Sequence, residues 1–518
     1  MDEPLLEFFL GNFSAMRWGT GQMSRHANEF QWEAIDRLIQ EGRGKEAQTK
    51  LSHISPARLL PRERPAFARL AWRSGLPELG IRALAPVVKV SRATRQLVAP
   101  EELAEYAHCL IRIGAEVEGE MILQGLDQKA CPRVLLYLAS AHISRWDYRD
   151  ALPLLKRYVQ APGLGEYQRL VAKCNVVGAY VHLREHGKVT VALRELLYET
   201  SLKKHRLLYA GCLELAAQNF ILLRQWKDVE RYLSIATELT KGAGSIDSFF
   251  VEKWWALFEV AKSAASPASL RRLAMVRGTA RRLGHWETLR QCDAFEAVLS
   301  KNEDLLVRVW CGTPHGAFRD ALRAWHGRTI DLPTDYLWDV DGVTGKADVL
   351  DVVTPEKKWE ERGLKSGFEL HRMLVALTLD FYRPLRMAFL HRTINPDEFY
   401  NPETTPHRMH MLITRLRGWL KKNRLPISVE HVSDGAYRIA AKAPCRLAVP
   451  CDRKGGDKQG KRLERLRAGF SGGFFSVSEA SRQCGVPYRT LFRLLEDARL
   501  IGKVARVGNG RATRYRFV

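Results

Sequence analysis

From about residue 30 to residue 300 the apolar positions recur three and four residues apart, in short stretches separated by Gly or polar turns, and strand-like alternation is nearly absent. That pattern predicts a succession of short amphipathic helices, each burying one face. Small residues recur within it: Ala47 in GRGKEAQTKL, Gly80 in LPELGIRAL, Gly119 in AEVEGEMIL, Ala151 in WDYRDALPLL and Ala192 in GKVTVALREL, with Val229 in the same place in QWKDVERYL. Their spacing scatters around about 34 residues, the length of one helix–turn–helix repeat. After Trp325 the grammar changes. DYLWDVDGVTGKADVLDVVT alternates apolar and polar residues about Asp341-Gly342, which predicts a hairpin. Helical periodicity resumes in FELHRMLVALTL, PLRMAFLHR and TPHRMHMLITRLRGWLKKNR, and PISVEHVSDGAYRIA supplies two short alternating runs about Asp434-Gly435.

At roughly 150 residues per unit, a chain of 518 residues is expected to hold three or four units. The expected fold is mainly α: a helical repeat unit over 1–325 and two α+β modules over 326–443 and 469–518, joined by a basic linker over 444–468. The linker segment, PCRLAVPCDRKGGDKQGKRLERLRA, is polar, Gly-containing and basic. The last module repeats the order helix, Gly turn, helix and hairpin, the hairpin turning at Gly508-Asn509-Gly510.

Composition narrows the function. A hydrophobic fraction of 46% with 27% charged residues describes a folded protein, and no apolar run reaches the roughly 20 residues a membrane-spanning helix needs. The start, MDEPLLEFFLGNF, is acidic and has no basic leader, so a cytoplasmic location is expected. Nine scattered cysteines without a CxxC pair are read as reduced thiols, with no disulfide framework and no metal. The net charge of +23 draws acidic polymers, and residues 441–518 carry 18 Lys and Arg against six Asp and Glu. Nucleic acid is the partner that asymmetry favours; a ribosomal or membrane-surface partner shares the sign.

The last module holds the most specific motif. Ser476 and Glu479 form an S-x-x-E capping box, Gly485 allows a sharp turn, Val486 plugs the space between helices and Pro487 opens the next helix. Leu491, Leu494 and Leu495 fall at core spacing, leaving Tyr488, Arg489, Thr490 and Arg493 towards the other side. SEASRQCGVPYRTLFRLLEDARLIG resembles the winged helix-turn-helix proteins. The resemblance implies that Tyr488, Arg489, Thr490 and Arg493 enter the major groove, while the wing arginines Arg506, Arg511, Arg514 and Arg516 grip phosphate or a minor groove.

Residues 333–440 resemble the OmpR/PhoB-type winged helix, in the leading hairpin, in TTPHRMHMLITRLRGWL at the place of the recognition helix, and in the GAYRI wing. The helix segment 404–424 holds six Lys and Arg and no carboxylate, as a phosphate-facing helix would. Carried over by position, His407, Arg408 and Met411 face bases and Thr404, Thr405 and Arg415 touch the backbone, with Arg417 structural. An acidic receiver domain is missing, so phosphorylation control is not implied. VLLYLASAHISRWDYRDALPLLKRYVQAP resembles a tetratricopeptide repeat in Tyr148, Ala151, Leu155 and Pro162; a generic helical solenoid or irregular bundle is the alternative. Regulators of the antibiotic-regulatory type join these two parts in the opposite order.

His182-Leu183-Arg184-Glu185-His186 matches the H-x-x-E-H pattern of inverted zinc peptidases, but Gly187 stands where a repeat turn is expected and no third ligand is marked by context. No phosphate-binding loop of the G-x-x-x-x-G-K-[ST] type occurs. The expectation is a non-enzymatic transcription regulator without cofactor, whose repeats bind a protein or peptide and whose winged helices bind duplex DNA, with a homodimer also considered. The competing expectation is a scaffold or secretion-system adaptor whose winged helices bind protein; RNA duplex binding is a weaker variant.

Overall fold

The computed structural model describes residues 26–40, 43–94, 98–202, 205–241, 246–263, 265–342, 346–396, 398–432, 435–451, 466–470, 472–485, 488–500, 504–508 and 513–517. The chain is mainly helical with three small sheets among these residues. It divides into two compact units, one of residues 1–112 and 128–332, the other of residues 113–127 and 333–518.

Among the described residues of the first unit, helices follow one another without strands. They run from His26–Gln40 through Glu166–His182, Arg206–Leu222, Ile246–Lys262 and Trp286–Ser300 to Gly316–His326. Most pack on the next helix in the chain, and Glu166–His182, Arg206–Leu222, Ile246–Lys262 and Trp286–Ser300 also pack on one another in series, so that alternate helices form a continuous layer. The turns that join the pairs share one geometry. Gly75, Trp146, Arg184, Arg224 and Lys301 take positive φ. The residue after each donates its N–H to the carbonyl five positions back, as in Leu76 to Ala71, Asp147 to His142, Glu185 to Tyr180, Gln225 to Phe220 and Asn302 to Ala297.

Five residues beyond each turn comes a position sealed against the partner helix: Gly80, Ala151, Val189, Val229 and Leu306 are all buried. A Cβ at Gly80 would sit 2.6 Å from Cys109 Sγ, so the backbones approach too closely there for any side chain. Ala192, aligned to this series by its small side chain, is only partly buried, and Val189 holds the position instead. Distance from the turn, rather than side-chain size, sets which position is sealed.

In the second unit β1 (Asp335–Asp339) and β2 (Asp348–Leu350) do not pair with each other. Asp341 and Gly342 do take positive φ, at 59° and 72°, but the chain does not fold back into the expected hairpin. β6 (Cys445–Pro450) lies between them, antiparallel to β1 and parallel to β2. Residues 445–450 are therefore a central strand rather than the start of a linker. Cys445, Leu447 and Val449 alternate fully buried with partly exposed neighbours, and that buried face forms one core with Trp338, Leu377, Leu416 and Ile439. Residues 452–465 of the expected linker lie outside the described residues.

A short helix, Lys357–Glu361, follows β2, and three longer ones come after it: Glu369–Leu377, Met387–Ile394 and Thr405–Lys422. A second sheet, ordered β3-β5-β4, packs beside them; β4 (Ile427–His431) and β5 (Ala436–Ala441) are an antiparallel pair and β3 is Leu385–Arg386. Near the C-terminus the helices Val477–Cys484 and Tyr488–Leu500 enclose a core with the hairpin of β7 (Val504–Val507) and β8 (Arg514–Phe517). Ser476 Oγ accepts from the Glu479 N–H and Glu479 returns a bond to the Ser476 N–H, closing the capping box. Gly485 ends the first helix at φ 64°; Val486 and Pro487 lie outside the described residues. Phe475 and Tyr515, both fully buried, exchange backbone hydrogen bonds and tie the hairpin to the helix entrance.

Candidate nucleic-acid interface

The Thr405–Lys422 helix buries Met409, Leu412, Ile413, Leu416, Trp419 and Leu420, and this stripe fixes which side chains face outward. His407, Arg408, Met411 and Arg415 are exposed together on the opposite side. Met411, 54% exposed, is the apolar member of this set. Thr404 is exposed beside the first turn. Thr405 is not available to a ligand. It is 2% exposed, and its hydroxyl accepts the Asn401 N–H at 3.0 Å, which anchors the loop leading into the helix.

The helix itself has no carboxylate, yet two of its arginines have acidic partners from elsewhere in the unit. Arg408 Nη1 lies 2.7 Å from Glu398, and Arg415 Nη1 lies 3.2 Å from Glu369. The Arg408 guanidinium is held above its usual range first by that hydrogen bond to Glu398. Both pairs are exposed, so each contributes at most about 1 kcal/mol. Arg417 donates from Nε to the Val429 carbonyl at 2.8 Å and lies over the Tyr437 ring, joining the helix to β4 and β5. Lys421 and Lys422 close the last turn, where cations also complement the helix dipole.

The loop before this helix is held from the segment 113–127. Glu118 accepts the backbone N–H of Tyr400, and Glu116 pairs with Arg392 at 3.1 Å. Burial raises the Glu118 carboxyl and the Tyr400 hydrogen bond opposes it. His391, almost fully buried, faces Glu398 at 3.8 Å, and burial lowers its imidazole. None of these acids was marked out in the sequence, although NPDEFYNPETT does place three acids just ahead of the basic helix.

In the C-terminal module Tyr488 is 55% exposed and stacks at 6.5 Å on the half-exposed Phe492 one turn later. Arg489, Thr490 and Arg493 share that helix by backbone position; their side chains, and the whole of Arg511, lie outside the described residues. Arg506, Arg514 and Arg516 are exposed on β7 and β8. Arg514 pairs with Glu479 at 3.2 Å, and the Arg516 guanidinium covers the exposed Phe474 ring at 5.1 Å.

The H-x-x-E-H pattern straddles a helix break. His182 closes one helix, Arg184 turns the chain at φ 57°, and His186 opens the next, so the two imidazoles share no helix face. Eight cysteines whose side chains are described are buried, and none of these eight forms a disulfide. Among the described residues no helix is long and apolar enough to cross a membrane.

No known protein family, curated protein or solved structure matches the chain.

Proposed function

We propose that the chain is a DNA-binding transcription regulator, with a tetratricopeptide-like helical repeat unit that binds a protein or peptide partner and two winged-helix modules that contact duplex DNA. The observation that carries this reading is the outward face of the Thr405–Lys422 helix. His407, Arg408, Met411 and Arg415 offer hydrogen-bond donors and one apolar contact on a single side of a helix whose other side is locked in a core. Arginine reads guanine by two hydrogen bonds and a methionine suits a thymine methyl, so the set is chemically suited to base edges. The helices Glu369–Leu377, Met387–Ile394 and Thr405–Lys422 followed by the β4–β5 pair, the order of a winged helix, support the same reading. The uneven charge adds a sequence-independent grip.

The test is a titration of the full chain on duplex DNA between 50 and 200 mM salt. With six to ten phosphate contacts, affinity should fall by roughly 10³ to 10⁵ over that range. A flat response would favour the second reading, a protein-binding scaffold. That reading is supported by the exposed aromatic residues Phe474, Tyr488 and Phe492, which suit a protein surface as well as a stacked base.

A further inference from the structure

We infer that the first unit contains a docking groove for an amphipathic helix, filled here by the chain's own Gly316–His326, and that its trans partner is a helix of the same chemistry. This deepens the partner half of the proposed function and rests only on the repeats binding a protein or peptide.

The groove is built around Trp146. Its turn position is held by Gly75 and Gly114 in earlier pairs, and a bulky residue there is strained, yet Trp146 sits at φ 64°. Its indole points inward, 7% exposed, and donates from Nε1 to Glu287 at 3.1 Å across 141 residues of chain. Glu287 in turn pairs with the fully buried Arg290 at 3.0 Å, and Arg290 reaches the Thr313 hydroxyl at 2.8 Å. Trp146 and the Trp286–Ser300 helix thus form two walls.

Gly316–His326 lies between those walls by three side chains one and two turns apart. Phe318 and Leu322 are fully buried and Trp325 half-buried. Phe318 packs edge-on against Trp146 at 4.6 Å, and Trp325 meets Phe295 at 5.7 Å and Trp146 at 6.5 Å. Asp320, Arg323 and Ala324 face outward. Anchors at positions i, i+4 and i+7 on one face are how an amphipathic helix occupies a groove.

The ends and the anchors of Gly316–His326 suit a separable element. It spans only 11 residues, too few to be stable alone, and it is bounded by Gly316 and by Gly327 at φ 73°. Its backbone packs on Trp286–Ser300, Arg319 donates from Nε to the Trp310 carbonyl at 3.1 Å, and the Phe318 and Trp325 rings reach Trp146. Its basic residues lie over Trp310, with the Arg323 guanidinium 4.9 Å from the ring. The matching partner is therefore a short helix with an aromatic, an aliphatic and an aromatic residue at i, i+4 and i+7 and arginine or lysine beside them.

The experiment uses the full chain carrying Phe318→Ala with Trp325→Ala, and a labelled peptide of residues 313–328. The peptide should bind the variant at least about tenfold more tightly than it binds wild type, where the tethered helix competes at high effective concentration. A peptide lacking both aromatic residues should bind neither. No binding to a variant that keeps the wild-type circular dichroism overturns the inference. A variant that does not fold is replaced by hydrogen exchange on wild type. Amides of 320–326 should then exchange through an opening at least tenfold more populated than that of 290–300, and equal protection overturns the inference. Neither readout contains DNA, so failure of the DNA reading is detected separately.

Discussion

Arg408 and Glu398 meet at 2.7 Å on the outward side of the Thr405–Lys422 helix, so the side chain best suited to a guanine edge is held by an acid ten residues earlier. On the proposed reading, phosphate or base would compete with that carboxylate. We expect Glu398→Gln to raise DNA affinity by up to about fivefold, the equivalent of one exposed ion pair, in a fluorescence anisotropy titration. Unchanged or weaker binding would show that Arg408 does not approach DNA.

Base-reading and phosphate-holding arginines leave different signatures. Arg408→Ala, and likewise Arg489→Ala, should cost about 1–3 kcal/mol on a preferred site and flatten discrimination between sites. Arg514→Ala should weaken all duplexes alike and lower the salt slope by about one, as should Arg511→Ala. A competition titration against a scrambled duplex at two salt concentrations separates them. Equal losses on both duplexes for Arg408 would mean an electrostatic grip without recognition.

Strand β6 makes a prediction about boundaries. A chain ending after Ala443 lacks the strand that joins β1 to β2, and should expose the core face of Trp338 and lose cooperative unfolding of the second unit. A chain ending after Cys451 retains all five registered pairs between β1 and β6 and should unfold cooperatively. Similar urea transitions for the two would refute the central role of β6.

Trp146 should respond to substitution in an order opposite to an ordinary helix position. Removing the buried indole costs about 3–5 kcal/mol in either case. Trp146→Gly should nevertheless be about 1 kcal/mol less damaging than Trp146→Ala, because glycine carries no Cβ penalty at positive φ. Urea midpoints of the two variants decide the order.

His182 makes the first unit sensitive to acid. Burial pushes its imidazole down to about 4, with Lys253 acting in the same direction and the Gly178 carbonyl opposing. Unfolded, the ring takes up a proton near 6.5, whereas folded it remains neutral. Its contribution is thus complete above pH 6.5 and is lost as pH falls towards 4, amounting to at most about 3 kcal/mol and less because the ring is partly exposed. Stability measured by urea at pH 7.5 and 5 should drop more in wild type than in His182→Phe, which keeps the ring stacked at 4.0 Å on Tyr148. Equal drops would assign the acid sensitivity to other groups, including the fully buried His108.

Much of this architecture is legible along the chain because its forces are local. Helical periodicity marks the repeat helices, Ser476 and Glu479 announce a helix start, and alternation marks β4 and β5. What was not legible depends on residues distant in sequence. The alternation about Asp341-Gly342 is real, but its pairing partner arrives some hundred residues later, in a six-residue strand next to a charged stretch. The one-sign face of the Thr405–Lys422 helix is a property of one element, whereas Glu369 and Glu398 reach it from two others. The OmpR/PhoB-type resemblance implies that Thr405 touches the DNA backbone, whereas the loop folding over it from Asn401 buries it.

The pairing of Asp335 with Pro450 has a mechanical consequence. Because β1 and β6 are antiparallel, the chain enters β1 and leaves β6 at the same end of the pair, with the two backbones roughly 5 Å apart. Tension applied through the flanking chain would therefore load the hydrogen bonds one after another, peeling the strands apart from that end rather than shearing them all at once. A small pull on either side would open this sheet first, while the β3-β5-β4 sheet, which carries neither end, bears no load.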